Sequence, residues 1–419
     1  MKRHCLLAAS GLASCGVVIA LALACQHTDT RPDRPLSIEP AQLEAARPAV
    51  DALQQSRFDD AEAEAKRVLA ADPKNPQAHL VSAITHYKRT MHGLVNDLFS
   101  VAVGAIRGGI NQKFLDFALK SAAEELAAVE ADLAAVARYP DVTLDLCLAC
   151  WEVDWNRSGR IDDRDRMLLQ VEVDADGHRI PEGDPRRRPT FHFDIGDVYW
   201  ARAMLAFQQA AIQICRAYRL PQPAEMMQAF DRGQPVRIQL VSKELVGEGH
   251  KLILAGLDHA DRCRREYLAE KDDDREWVPN PRQKNHPLPL PVDELLYSTW
   301  EGVLADVKSL LEGSEGISVA EVAQLGDHRW ADPPTGFIDV RRMLESPGDI
   351  VLNPNNLEDL GERHTRDSVE RVLRDVLGDK YVPQMKPSQL ISRMSRMKSE
   401  IERGEESLER KLRYLIWLN

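Results

Sequence analysis

The stretch Lys113–Tyr139, KFLDFALKSAAEELAAVEADLAAVARY, sets the fold class. Leu119, Ala122, Leu126, Val129, Leu133 and Val136 step alternately by three and four, which draws one apolar stripe along a helix. Glu124, Glu125, Glu130 and Asp132 occupy its other faces, and Pro140 ends it. So short a stripe predicts packing in a helical bundle rather than a partner-binding coiled coil.

On its N-terminal side, Leu98–Gly109 (LFSVAVGAIRGG) is apolar and glycine-rich. It reads as a buried helix or loop, with a membrane-touching segment as the alternative. Further upstream, residues 41–91 show a helical repeat. Phe58, Ala61, Ala65, Val68 and Pro73 place an aromatic, small residues and a closing proline at spacings that resemble the tetratricopeptide pattern. Ala49 and Ala83, 34 residues apart, fit the small position of successive first helices. No third unit follows, so these helices must lean on the rest of the chain. The resemblance implies a protein or peptide partner on the repeat, whereas the short array favours a packing role.

On the C-terminal side, Leu144–Val153 reads as a helix leading into Asp154–Asp165, DWNRSGRIDDRD. Oxygen-bearing side chains stand at loop positions 1, 3, 5, 9 and 12 (Asp154, Asn156, Ser158, Asp162, Asp165), with Gly159 at the turn and Ile161 at position 8. These twelve residues resemble the calcium loop of an EF-hand, with Asp165 closing it as in dockerin-type loops. The resemblance implies one Ca²⁺, held also by the backbone carbonyl of Arg160 and acting as a static brace because no paired loop follows. The bland alternative is a polar turn. Beyond it, Met167–Ile180 with Asp176-Gly177 at its centre predicts a small β-hairpin.

Trp200, Met204, Phe207, Ala211, Ile214 and Tyr218 mark a second helix over Asp197–Leu220, and Val241–Glu270 continues in helical style. His250 and His259, nine apart, are poorly phased to share a helix face. Asp272–Pro291, charged and then proline-rich, predicts an extended strap. Helices follow from Pro291, at Thr365–Leu377, at Pro387–Glu402 and at Glu405–Leu418, with loop-rich residues 341–361 between.

At the N-terminus Lys2 and Arg3, the apolar Leu6–Ala24 and then Cys25 resemble a bacterial lipoprotein signal. Cys25 is the expected lipidation site, since Cys15 would leave too short an apolar run before it. By resemblance, Gln26 after the cysteine directs the chain to the outer membrane, and the lipid on Cys25 is its membrane contact. Of the remaining cysteines, Cys147, Cys150, Cys215 and Cys263 allow two disulfides of undecided pairing, and buried helical thiols are the favoured state of the Cys147–Cys150 pair.

With 54 Lys and Arg against 66 Asp and Glu, the formal charge of −12 argues against nucleic-acid binding. No P-loop, GxSxG, HExxH or dinucleotide fingerprint is present. The segments divide as 1–24 leader, 25–38 tether, 39–140 repeat-like and long amphipathic helices, 141–271 calcium loop and central helices, 272–290 strap, and 291–419 C-terminal helices. The expected fold is mainly α: a helical repeat hairpin leading into an irregular multi-helix bundle, with one small β-hairpin. The expected function is a lipid-anchored cell-envelope protein with one structural calcium site, acting as a binding or scaffold module. The rival is an envelope enzyme with a cleft between helical regions, where carboxylates gather with His192, His250 or His259.

Overall fold

The computed structural model describes residues 35–151, 154, 159–161, 170–174, 178–288, 292–324, 332–363 and 365–403. The chain begins there with two helices, α1 (Pro40–Gln54) and α2 (Phe58–Ala71), packed antiparallel. Ala49, Ala61, Ala65 and Ala83 are all buried, so the small residues of the repeat let backbones approach. The Phe58 ring meets Trp151 edge-on at 5.3 Å, tying the repeat to the centre of the chain.

The next hairpin is much longer. α3 (Pro76–Arg107) starts at a proline behind the N-cap Asn75, whose side chain accepts from the Ala78 amide, and stops at Gly108. α4 (Gln112–Val136) is capped by Asn111 and runs back along α3. The six stripe residues of α4 are all buried, as their spacing predicts.

The segment expected to be a helix before the calcium loop takes another form. Leu144–Leu146 is a strand, β1, pairing antiparallel with β2 (Phe191–Phe193), and Leu148–Cys150 is a single 3₁₀ turn. The Cys147–Cys150 pair within it is a disulfide rather than buried helical thiols. Leu144 and Leu146 point into the core from alternate positions, a two-residue period that a helix of this length would waste. The expected small hairpin forms: Val173 and Arg179 make an antiparallel bridge, and the Ile180 amide donates to the Glu172 carbonyl.

Two long helices, α5 (Ile195–Arg216) and α7 (Lys243–Ala269), form the most extensive helix pair in the fold. Glycines permit their close approach. A Cβ at Gly256 would lie 2.7 Å from the Phe207 ring, and one at Gly249 would lie 2.8 Å from Ile214. Between them come β3 (Tyr218–Arg219), the short α6 (Pro223–Asp231) and β4 (Val236–Leu240).

After α7 the strap is non-helical as expected, and it is anchored by burial. Trp277 packs against Phe191 at 4.8 Å and Phe193 at 5.6 Å, while Asn280 donates to the Tyr267 carbonyl at 2.8 Å. α8 (Glu294–Glu312) then packs beside α7 and receives the last described helix, α13 (Leu390–Arg403), through an Arg393–Asp306 ion pair at 2.8 Å.

Residues 317–382 hold β5 (Ile317–Ser318), α9 (Val319–Gln324), β6 (Phe337–Ile338), α10 (Val340–Glu345), β7 (Ile350–Leu352), α11 (Pro354–Arg363), α12 (Arg366–Leu377) and β8 (Tyr381–Val382). Most of α10, β7 and most of α11 fall within residues 341–361, which read as loop-rich, while α12 falls where the sequence predicts a helix. The strands join in two small antiparallel sheets of order β3-β4-β7 and β5-β6-β8. These pairings link distant segments in strands too short for alternation to show. The fold is mainly α with small antiparallel strand pairs.

Candidate functional site

Of the residues expected to hold calcium, Asp154 and Arg160 are described; Asn156, Ser158, Asp162 and Asp165 lie outside the described residues, as does the lipidation candidate Cys25. Asp154 and residues 159–161 form part of a turn. Asp154 Oδ2 accepts the Gly159 amide at 2.7 Å, and Gly159 takes φ of +79°, a conformation a side chain would oppose. The Asp154 carboxylate is thus folded back over Gly159, a bond that a polar turn and a calcium loop share. Among the described residues no group of three or more His, Cys, Asp and Glu is placed to hold a metal ion.

The histidines that would mark a catalytic cleft do not converge on a shared site. His192, on β2, pairs through Nδ1 with Asp145 at 2.7 Å, and Arg275 reaches the other Asp145 oxygen at 2.9 Å. Partial burial pushes the Asp145 carboxyl up, but the hydrogen bonds and charges of His192 and Arg275 outweigh it and hold it below the usual range. His250 and His259 are separated by about 13 Å along α7 at 1.5 Å per residue. Burial, with the cations of Arg202 and Arg262 beside it, lowers His259 to about 3, so the ring is neutral at physiological pH. A solvent-open groove of about 490 Å³ lies between α1 and α2, where Arg47 and Arg57 already pair with Glu44 and Asp60.

A carboxylate cluster does form, and no motif in the sequence pointed to it. Asp194 caps α5, accepting from the Gly196 amide at 2.7 Å; Asp197 accepts from Tyr267 Oη at 2.6 Å; and Glu270 and Glu276 enter from the end of α7 and the strap. Burial, then a hydrogen bond to the Asp194 carboxylate, pushes Glu270 up to about 11. Burial and the Asp194 charge likewise raise Asp197. Glu270 therefore holds a proton and donates it to Asp194, while Gln283 donates to Glu270 at 3.0 Å. The group is closed on itself by protons and amides, with Asn280 and Tyr267 completing it.

The opposite chemistry appears at the far end of the α3–α4 hairpin. The last buried residue of α3 is Leu94 and the first of α4 is Ala118. Thirteen residues of α3 therefore run on for about 20 Å beyond the core at 1.5 Å each. On this overhang Phe99 is 69 % exposed, Ile106 87 % and Phe117, from α4, 67 %. Val95, Phe99, Ala102 and Ile106 step by four, three and four along one outward face of α3. The expectation that Leu98–Gly109 is buried is thus overturned. Its helix has the apolar period of a packed element, yet among the described residues no helix covers that stripe.

The overhang is held in place rather than loosely projecting. Gln222 Oε1 accepts the Ile110 amide at 2.7 Å and its Nε2 donates to the Ile110 carbonyl at 3.0 Å, while Gln112 donates to the Leu220 carbonyl at 2.8 Å. Exposed Leu220 is thereby brought to the same end of the hairpin. Several large apolar side chains on one fixed, exposed surface mark an interaction site, since scattered single ones carry no such meaning.

No family model, curated protein or solved structure matches this chain.

Proposed function

We propose that this chain is a lipid-anchored cell-envelope protein that acts as a binding or scaffold module, with the overhanging end of α3–α4 as its contact surface. The observation that carries the reading is the exposure of Phe99, Ile106 and Phe117 on helices whose neighbouring turns are well packed. Burying such a side chain is worth about 1.5–3 kcal/mol, so a surface that shows three of them gains most when something covers it. The lipid on Cys25 would hold the body near a membrane, and one Ca²⁺ held by Asp154, Asn156, Ser158, Asp162, Asp165 and the Arg160 carbonyl would brace the segment between the repeat and α5.

A photo-crosslinking residue placed at Ile106, and in a second chain at Glu64 on α2, tests the contact surface in intact cells. Adducts from position 106 and none from 64 are expected; equal labelling at both, or none at 106, refutes it. For the brace, calorimetric melting with calcium and with chelator should differ, because a ligand that binds only the folded state stabilises it. Asp154→Ala should erase that difference, and a difference that survives the substitution assigns the ion elsewhere.

A further inference from the structure

We infer that the occupant of this contact surface is an anionic phospholipid bilayer, into whose interface the end of the α3–α4 hairpin inserts. The inference rests on the overhang being the contact surface and adds what covers it.

Charge distinguishes this end from the rest of the molecule. Residues 98–115, the tip of the overhang, contain no Asp or Glu, although a chain with 66 acids in 419 residues would place about three in that length; Asp97 and Asp116 stand at its two edges. The stretch instead holds Arg107 and Lys113, both exposed. The neighbouring segment 217–224, pinned to it through Gln222, adds exposed Arg219 and Leu220, and the Glu225 carboxylate just beyond it accepts from the Gln222 backbone amide at 3.3 Å. Asp116, just past the stretch, is engaged by Arg216 at 3.0 Å. On an acidic protein the apolar tip thus carries two exposed cations and no acid, the pattern by which a helix enters the headgroup region: apolar side chains sink and basic ones meet phosphate.

A second copy is a poorer occupant, because two such ends would bring Arg107 and Lys113 of each against the other.

The test is hydrogen exchange on the full chain with vesicles of phosphatidylcholine alone and of equal parts phosphatidylcholine and phosphatidylglycerol. Slowed exchange confined to residues 95–117 and 217–223, stronger with the anionic vesicles, is expected. Phe99→Gln/Ile106→Gln/Phe117→Gln should weaken that protection at least about tenfold while leaving the melt unchanged. Arg107→Glu/Lys113→Glu should remove the preference for the anionic lipid. Vesicle binding without local protection overturns the inference while leaving the Cys25 anchor standing. Equal protection by both vesicles overturns the charge argument, and protection that grows with protein concentration in the absence of lipid assigns the surface to a second copy. Adducts from position 106 to protein alone would keep the contact surface and refute the bilayer.

Discussion

The α5–α7 pair with its strap and the end of the α3–α4 hairpin invert each other. One hides carboxyl groups among aromatic side chains; the other displays phenylalanine and isoleucine to water. In the first, the polar groups of the cluster are answered from within: Asp194 by Glu270 and two amides, Asp197 by Tyr267, Glu270 by Gln283. In the second, nothing described in the chain covers the apolar stripe of α3 past Leu94. Internal completion marks a structural element, and its absence on an ordered surface is what the proposed contact rests on.

Trp277→Ala should show the largest effect. The ring packs on Phe191, Phe193 and Trp200, and its removal should cost about 3–5 kcal/mol in denaturant unfolding. A loss below about 1 kcal/mol would mean that the strap is not part of the core.

Glu270→Gln should be stabilising at alkaline pH. The Glu270 carboxyl has a folded value above its unfolded one, so its contribution is fully present below about pH 4.5 and is lost as pH rises toward about 11. An amide keeps a donor for Asp194 without that dependence. Melts at pH 8 should show a gain of about 1–2 kcal/mol, allowing for solvent screening, and a flatter pH profile. Lower stability with an unchanged profile would show that Glu270 carries no proton.

His79→Gln probes the hairpin where it is packed. The hydrogen bond to Asp132 raises the His79 pKa against burial, so this contribution is present below about pH 6.5 and lost as pH rises through the folded value. The variant should fall short of the native chain by about 1 kcal/mol more at pH 5.5 than at pH 8.5. An identical gap at both pH values would place the proton elsewhere.

The smallest effect on stability belongs to Phe99→Gln/Ile106→Gln/Phe117→Gln, within about 0.5 kcal/mol of native in the absence of lipid. A loss of several kcal/mol would mean that the overhang is packed in the free protein, and the contrast between the two regions would dissolve.

The amino-acid order alone determined the elements whose periodicity is long and one-sided: α4 from Leu119 to Val136, α5 around Phe207 and Ile214, and the alanine-lined repeat from Ala49 to Ala83. There each side chain's environment follows from its place on its own helix. It did not determine that Glu125, Glu130 and Asp132, set on the other faces of α4, would pair with His86, Arg202 and His79, because those partners come from α3 and α5. The strand at Leu144–Leu146, the meeting of Asp194, Asp197, Glu270 and Glu276, and the exposure of Leu98–Ile106 were likewise decided only by the assembled fold. Short strands, carboxyl clusters and uncovered stripes depend on what long-range packing brings alongside a segment or withholds from it, and local sequence does not record that.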